Sequence, residues 1–284
     1  MTPLVVKFGG ELLEDPARLK AVVVAMARVA RQGHKLVIVH GAGKEIDGAL
    51  KAAGIEKRQV DGLRITDDET LDVVVAVLGA VNARLVAALA AAGVAAVGLT
   101  GADGECGLAD QAPPHRAVDG RLVDLGRVGI PNDQAGTRVV RTAVENEYVP
   151  VIACIGIGND GRLFNVNADT FAGHLAARLN AKRLVIAGST AGVLDETGST
   201  VPVIDTQTLD RLISGGTATA GMIAKLRACE QAIARGVGDV VIVDGRDRAA
   251  LEGAVMGASP PNATRIVAAA VRHTAPAAMP TGER

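Results

Sequence analysis

Short runs of β-branched and aliphatic residues alternate along this chain with longer stretches in which apolar residues recur at helical spacing. The short runs predict six strands: Leu4–Phe8, Leu36–Val39, Val94–Leu99, Val149–Ala153, Leu184–Ala187 and Val240–Val243. The longer stretches predict six helices: Pro16–Gln32, Lys44–Ala53, Asp67–Ala92, Asp133–Asn146, Ala168–Asn180 and Met222–Arg235. Strands that alternate with helices favour a parallel arrangement. We therefore predict an α/β fold with a mostly parallel sheet covered by helices on both faces.

Two segments interrupt this alternation and predict β-hairpins. They span residues 113–128 and 156–165, and each contains an Asp-Gly pair typical of a tight turn. Such hairpins often form a flap beside a pocket. Periodicity is lost near the end, so we predict a single domain over residues 1–268 and a disordered tail over 269–284.

Charge and cysteine content narrow the classes of partner. The 30 Lys and Arg residues nearly balance the 31 Asp and Glu residues, so no basic excess attracts nucleic acid or an anionic membrane. A small-molecule partner is the better expectation. Cys106, Cys154 and Cys229 lack CxxC spacing, and the histidines lack ligand spacing, so we assign no disulfide framework and no protein-bound metal. A reducing cytosol fits this pattern.

The chain shows no sequence signal for a membrane or for export. Residues 85–102 are uncharged and approach membrane-spanning length, but Gly93 divides them into a helix end and a strand. The first apolar run begins at Leu4, without a basic and apolar leader before it. We expect a cytoplasmic protein.

Two glycine-containing turns directly follow the first two strands. Lys7, Gly9 and Gly10 form the first, and the second reads His40-Gly41-Ala42-Gly43. Glycine lets the backbone approach an anion, and N–H groups at the start of the next helix point towards it. Lysine adds a full positive charge where phosphoryl oxygens gather. These turns predict a protein that handles phosphate.

Together with three further motifs, these turns resemble the amino acid kinase family. The further motifs are Asp61-Gly62-Leu63-Arg64-Ile65-Thr66, Phe164-Asn165-Val166-Asn167-Ala168-Asp169 and Gly221-Met222-Ile223-Ala224-Lys225. The resemblance covers about residues 4–268 and implies a three-layer αβα sandwich. It implies transfer of the γ-phosphoryl group of ATP, bound with Mg²⁺, to a carboxylate, giving an acyl phosphate. Within the family, the likeness is greatest to members that phosphorylate N-acetyl-L-glutamate in arginine biosynthesis.

The resemblance also implies roles for four catalytic residues. Lys7 contacts the transferring phosphoryl group, and Lys225 stabilises developing charge on the nucleotide side. Asp169 orients both lysines or helps to hold the metal-bound phosphates. Gly10, with Gly43, donates backbone N–H groups to the phosphoryl oxygens. Positioned cations and N–H donors suit phosphoryl transfer, and a carboxylate nucleophile is already ionised and needs no general base.

Binding residues are implied on both sides of this centre. Arg64 and Asn165 hold the acceptor, since arginine offers a carboxylate a planar, bidentate partner. The full acceptor set is Gly41, Ala42, Gly43, Arg64, Asn165 and Asn167. The nucleotide set is Gly9, Ser189, Gly192, Gly221 and Met222. The N-terminal lobe, residues 1–180, then binds acceptor, and residues 181–268 bind nucleotide.

Ala42 and Ser189 depart from the usual motifs of the family, and His40, beside the second turn, could be taken for a catalytic residue. Ala42 stands where glycine is common, and a positive φ there would cost about 1 kcal/mol. Ser189 stands where an acidic residue is common, which removes a charge on the nucleotide side. His40 ends a buried strand, and we predict a structural rather than a catalytic role for it.

Alternative functions remain open at this point. A sister kinase would act on a related N-acylated or carrier-linked amino acid, such as aminoadipate or glutamate. A non-catalytic member would keep the fold while binding substrate. A dinucleotide-binding oxidoreductase is suggested by Gly41 and Gly43, but Ile46 occupies the place of its third glycine.

Assembly is predicted from the long apolar helix and from the chain's start. The helix over Asp67–Ala92 is a candidate two-fold interface, so we expect a homodimer. Arginine-inhibited members of the family carry an extra N-terminal helix that links dimers into a hexamer. This sequence starts at the first strand, so we expect no arginine inhibition through such a helix.

Overall fold

The computed structural model describes residues 2–195, 197–214 and 220–269, and residues 270–284 of the predicted tail lie outside this part. The described residues contain eight α-helices: α1 Pro16–Arg31, α2 Gly43–Ala52, α3 Asp68–Ala91, α4 Arg138–Glu145, α5 Ala168–Arg178, α6 Thr206–Ser214, α7 Ala220–Ala234 and α8 Arg248–Met256. They also contain sixteen strands: β1 Leu4–Phe8, β2 Leu36–His40, β3 Gln59–Val60, β4 Leu63–Arg64, β5 Ala96–Thr100, β6 Ala109–Gln111, β7 His115–Arg116, β8 Leu122–Val123, β9 Val128–Pro131, β10 Val149–Ala153, β11 Ile155–Ile157, β12 Leu163–Val166, β13 Arg183–Gly188, β14 Val203–Asp205, β15 Val240–Asp244 and β16 Ala263–Val267.

An eight-stranded sheet forms the centre of the fold, in the order β14-β16-β15-β13-β1-β2-β10-β5. Every neighbouring pair in it is parallel except β15 and β16. The residues of β1, β2 and β10 are buried throughout, as expected for strands covered on both faces. The prediction of an α/β sandwich with a mostly parallel central sheet is confirmed.

Both predicted hairpins are present. Strands β7 and β8 pair antiparallel within residues 113–128, and β11 pairs antiparallel with β12 around residues 156–165. Strand β12 continues into a second sheet of order β11-β12-β9-β6. A third hairpin, β3 with β4, was not predicted because its strands are only two residues long. This hairpin carries Arg64 beside the site described below.

The predicted helix over residues 133–146 begins too early. Helix α4 starts at Arg138, because the preceding residues form a turn in which Ala135 N–H donates to the Asn132 carbonyl at 3.0 Å. Gly136 N–H in turn donates to the Glu105 carbonyl at 3.0 Å. The segment is thus held by non-local contacts that its own residues do not reveal.

Helix α3 is long and apolar enough to cross a membrane by length and composition alone. Asp67 caps its start, accepting a hydrogen bond from Thr70 N–H at 2.9 Å. The helix ends at Ala91, and Gly93, with φ of 79°, separates it from β5 as predicted for residues 85–102. Only 33% of its most apolar 18-residue window is buried. Much of this apolar helix therefore faces outward in the monomer.

His40 is a structural residue of the core, as predicted. It is fully buried at the end of β2, and the Asn82 side-chain amide lies 3.1 Å from its Nε2 atom. Burial lowers the pKa of His40 to about 4. The ring is therefore neutral at physiological pH, which suits a hydrogen-bonded core position.

Candidate active site

The two predicted glycine turns meet at the carboxyl ends of β1 and β2. These strands are parallel neighbours, with Phe8 opposite His40, so the turns that follow them emerge side by side. A Cβ on Gly10 would lie 2.9 Å from Ala42 Cα and 3.0 Å from Gly43 N. Only glycine allows this approach of one backbone to the other.

The structure contradicts the expected strain at Ala42. Its φ is −150°, outside the left-handed region, so its side chain imposes no penalty of the kind expected. Gly43 begins helix α2, and a Cβ there would meet no atom within 4 Å. The start of α2 therefore faces open space, where its free N–H groups can receive an anion.

A buried cluster of three charges lies behind these turns. Lys7 Nζ lies 2.7 Å from Asp169 Oδ1, and Lys225 Nζ lies 3.5 Å from Asp169 Oδ2. Lys7 comes from β1, Asp169 from the first turn of α5, and Lys225 from α7. The exposed fraction of these side chains is 10%, 12% and 14%. The fold thus gathers three residues from distant parts of the sequence.

The cluster carries one net positive charge. Burial acts to lower the pKa of Lys7, but the adjacent Asp169 carboxylate outweighs it and raises this pKa above its ordinary 10.5. Burial acts to raise the pKa of Asp169, and the charges of Lys7 and Lys225 outweigh it and lower this pKa below 3.8. Lys7 and Asp169 are therefore ionised at neutral pH. With the Lys225 ammonium, the cluster favours an anion nearby.

A cavity of about 300 Å³ opens in front of the cluster. Ten of the predicted site residues line it: Lys7, Gly9, Gly10, Gly41, Ala42, Gly43, Arg64, Asn165, Asn167 and Asp169. The structure therefore brings the predicted acceptor residues together with three of the four predicted catalytic residues. Lys225, the fourth, joins them through Asp169.

At this cavity, one edge of the Arg64 guanidinium lacks a hydrogen-bond partner from the described part of the chain. Its Nη2 atom pairs with Asp47 of α2 and lies 3.5 Å from the Gly43 carbonyl. Its Nη1 atom is buried and has no hydrogen-bond partner among the described residues. An unpaired guanidinium edge of this kind is suited to a hydrogen-bond acceptor such as a carboxylate. Across the cavity, the Asn165 amide donates to Thr66 Oγ1 at 3.1 Å.

Asn167 holds the helix that carries Asp169. Its side-chain oxygen accepts hydrogen bonds from Asp169 N–H and Thr170 N–H, both at 3.0 Å, and so caps α5. The oxygen of Asn167 is thus already engaged, although the residue lines the cavity. Its evident contribution is to position Asp169.

The predicted nucleotide residues other than Gly9 do not line the cavity. Ser189 directly follows β13, and Gly221 and Met222 lie one turn before Lys225 on α7. Gly192 has φ of 80°, and a Cβ there would lie 2.5 Å from Thr264 Oγ1, so glycine is needed for packing. All four belong to the part of the chain that follows residue 181.

Glu11 and Asp47 were not predicted as site residues. Glu11 lines the cavity, its Oε1 accepts a hydrogen bond from Ser189 N–H at 3.1 Å, and its charge helps to raise the pKa of Lys7. Its place directly after Gly10 is the one sequence signal that could have pointed to it. Asp47 anchors Arg64 across 17 residues, and no motif marks it.

The sequence matches the model of a family described as "Amino acid kinase family" over residues 2–244. Among similar proteins, "Acetylglutamate kinase" of Desulfotalea psychrophila is 38% identical over 248 residues, which is 86% of this chain and 83% of that protein. "Acetylglutamate kinase" of Rhizorhabdus wittichii is 41% identical over 248 residues, covering 85% of this chain and 82% of that protein.

Solved structures share the fold. The crystal structure of N-acetylglutamate synthase from Neisseria gonorrhoeae, complexed with coenzyme A and N-acetyl-glutamate, superposes with a TM-score of 0.81 at 24% identity. The match covers 95% of this chain but spans only 60% of the length of that synthase. The likeness supports the architecture described above.

Proposed function

Because the chain belongs to the amino acid kinase family, we propose that it transfers the γ-phosphoryl group of ATP to the side-chain carboxylate of N-acetyl-L-glutamate. The products are ADP and an acyl phosphate, and the reaction is a step of arginine biosynthesis. The observation that carries this proposal is the buried Lys7–Asp169–Lys225 cluster at the same cavity as the unpaired edge of Arg64. That arrangement supports a cationic centre close to a group suited to binding a carboxylate.

The cluster supplies the electrostatic stabilisation that phosphoryl transfer needs. Negative charge is shared in the transition state by the attacking, leaving and equatorial oxygens. Lys7 contacts the phosphoryl group from the acceptor side, and Lys225 stabilises charge on the nucleotide side. Asp169 keeps both ammonium groups in place, and backbone N–H groups of Gly10 and Gly43 donate to the phosphoryl oxygens. The intact cluster argues against the non-catalytic alternative.

In this proposal, the Mg²⁺ ion binds together with the nucleotide. The described residues contain no group of three or more His, Cys, Asp or Glu side chains that could hold a metal ion. Mg²⁺ commonly binds through substrate phosphates with one or two carboxylates, which fits a site with few acidic groups. When bound, Mg²⁺ would neutralise part of the phosphate charge.

The two lobes divide the substrates between them. The cavity is lined by residues up to Asp169, which supports acceptor binding by residues 1–180. Lys225 enters the cluster from α7, and Ser189 N–H donates to the Glu11 carboxylate at the cavity, which supports nucleotide binding by residues 181–268. Phosphoryl transfer then takes place where the lobes meet.

An acceptor panel tests the proposed function. The purified protein is incubated with ATP and Mg²⁺, and ADP release is measured with N-acetyl-L-glutamate, free L-glutamate or N-acetyl-L-aminoadipate. We expect acceptor-dependent release chiefly with N-acetyl-L-glutamate. Faster release with the aminoadipate compound would transfer the assignment to a sister kinase, and no release with any acceptor would refute it.

Replacing Arg64 with alanine should chiefly raise the KM for the acceptor. The change removes the guanidinium edge that we assign to the substrate α-carboxylate, and a charged hydrogen-bonded contact of this kind corresponds to about a 10- to 100-fold change. We expect kcat to change much less. Steady-state kinetics with varied acceptor measures both constants.

Arg58→Ala is the matched control, because Arg58 lies nearby in the chain and pairs with Asp67 at the surface. Its kinetics should stay close to those of the unmodified protein. An unchanged acceptor KM in Arg64→Ala would remove Arg64 from the acceptor site.

The proposed assembly is a homodimer formed through α3. The exposed residues of this apolar helix include Ala80 and Ala83, small side chains that permit close approach of a second helix. Ala83→Glu should shift the mass in light scattering from dimer to monomer, because it places a charge in the apolar contact. Ala17→Glu, on the exposed part of α1, should leave the dimer intact. A hexamer of the unmodified protein would contradict this assembly.

We place the protein in the cytosol, with small molecules rather than nucleic acid or membrane as its partners. The three cysteines are free and buried, and burial raises the pKa of Cys106 and Cys154 to about 12. Such thiols remain protonated and suit a reducing compartment. The nearly neutral net charge of −1 offers no general attraction to polyanions.

A further inference from the structure

The Glu11 carboxylate folds back over the first glycine turn. A Cβ on Gly9 would collide with both carboxylate oxygens, at 2.5 Å from Oε1, and a Cβ on Gly188 would lie 3.1 Å from Oε1. Glycines on two different elements therefore leave the space that this carboxylate fills. Its position is set by the turn after β1 and the end of β13.

This position borders the proposed phosphoryl-transfer centre. The Cβ position of Gly188 that lies beside Glu11 Oε1 is also 3.9 Å from Lys225 Nζ. Glu11 contributes to the raised pKa of Lys7 as well, although less than Asp169 does. The carboxylate is thus close to both lysines without forming an ion pair of 4.0 Å or less with either.

Glu11 also supplies a negative charge beside Ser189, where the family motif usually has an acidic residue. The resemblance leads us to expect an acidic residue at this place, and serine removes that charge. The Glu11 carboxylate nevertheless lies against the same backbone, with Oε1 accepting a hydrogen bond from Ser189 N–H at 3.1 Å. A negative charge is therefore present beside Ser189, supplied by a residue 178 positions away.

A carboxylate at this place would repel the phosphates of a bound nucleotide unless a cation lies between them. Two anionic groups repel strongly in a partly buried site. The other carboxylate that lines the cavity, Asp169, has both oxygens within ion-pairing distance of lysines. Glu11 Oε2 accepts no hydrogen bond from the residues that the structure describes. Glu11 is consequently the carboxylate with a free oxygen to offer a metal ion.

We propose that Glu11 is the protein ligand of the Mg²⁺ ion that accompanies ATP. This inference rests on the proposed phosphotransferase function and assigns a metal-binding residue to it. One protein carboxylate combined with nucleotide phosphates is an ordinary environment for Mg²⁺. Loss of the Glu11 charge should therefore weaken metal-dependent nucleotide binding and spare metal-free binding.

Calorimetric titration with a non-hydrolysable ATP analogue tests this, with Mg²⁺ present or with the metal removed by chelation. In the unmodified protein, Mg²⁺ should tighten binding. Glu11→Gln, which keeps the side-chain shape, should reduce this metal-dependent gain by about 10- to 100-fold. Binding without metal should be unchanged or tighter, because a repulsive charge is gone. Glu11→Asp, which keeps the charge, should retain part of the gain.

The matched control is Glu14→Gln, which removes the same charge close by in the chain from a residue that does not line the cavity. Its metal-dependent gain should equal that of the unmodified protein, and thermal melting checks that each variant is folded. A full gain in Glu11→Gln, or equal weakening with and without Mg²⁺, would overturn the inference while leaving the proposed function intact. No nucleotide binding by the unmodified protein would refute both.

Discussion

Replacing Lys225 with alanine is expected to lower kcat by about 100- to 1,000-fold, the effect of losing one donor to developing transition-state charge. The KM for the acceptor should change little, because Lys225 approaches Asp169 from α7 and does not line the cavity that we propose for the acceptor. An interaction made mainly in the transition state affects kcat rather than ground-state binding. Steady-state kinetics with each substrate varied in turn separates these effects.

Lys182→Ala is the control for this change. Lys182 is an exposed lysine that directly precedes β13, outside the charge cluster, and its loss should leave kcat and KM close to their original values. An unchanged kcat in Lys225→Ala would show that the ammonium group does not stabilise the transition state. The catalytic role assigned to the cluster would then fail on the nucleotide side.

Replacing Asp169 with asparagine is expected to cost stability as well as activity. The change leaves Lys7 and Lys225 buried without their counter-charge, and breaking a buried pair in this way costs about 3–5 kcal/mol. Activity should fall severely, because neither ammonium group is then held in place. Urea denaturation measures the free energy of unfolding, and ADP release measures activity.

The loss in free energy of unfolding that Asp169→Asn causes should depend on pH. In the unmodified protein, the raised pKa of Lys7 preserves its stabilising contribution below pH 10.5, and that contribution is lost as pH rises through the folded pKa. The lowered pKa of Asp169 preserves its contribution above pH 3.8, and that is lost as pH falls through the folded pKa. The two contributions are therefore constant between these limits.

The asparagine variant should behave differently, because burial, the largest influence on the pKa of Lys7, is then opposed mainly by the weaker effect of Glu11. Its unfolded state binds the Lys7 proton more readily than its folded state, so its stability rises as pH approaches 10.5. The difference in free energy of unfolding between the unmodified protein and the asparagine variant should be larger at pH ~7 than at pH ~9.5. Asp160→Asn, at an exposed pair with Arg162, should leave the free energy of unfolding almost unchanged. If Asp169→Asn also left the free energy of unfolding almost unchanged, this would contradict the stabilising role that we assign to the buried cluster.

Sequence reasoning succeeds here where local pattern decides structure. Alternating strands and helices predict the parallel sheet, and the turns after β1 and β2 are placed together because those strands are adjacent and parallel. It fails where contacts are long-range. The backbone at Ala42 avoids strain through a φ that a motif cannot specify, and α4 starts late because Gly136 is held by Glu105.

The missed site residues have the same cause. Asp47 is recognisable only once β4 brings Arg64 beside α2, and the position of Glu11 depends on contact with Ser189 across 178 residues. Asn167, by contrast, is a helix cap that its sequence position already allows. Asp47 and Glu11 were missed because their roles depend on where their side chains point in the folded protein, which residue type does not reveal.

The most direct test of the central claim is trapping of the product with hydroxylamine. Acyl phosphates react with hydroxylamine to give stable hydroxamates, which identify the phosphorylated carboxylate. With ATP, Mg²⁺ and N-acetyl-L-glutamate, we predict the hydroxamate of the side-chain carboxylate, and much less in Lys225→Ala. ATP consumption without any hydroxamate would contradict phosphorylation of a carboxylate.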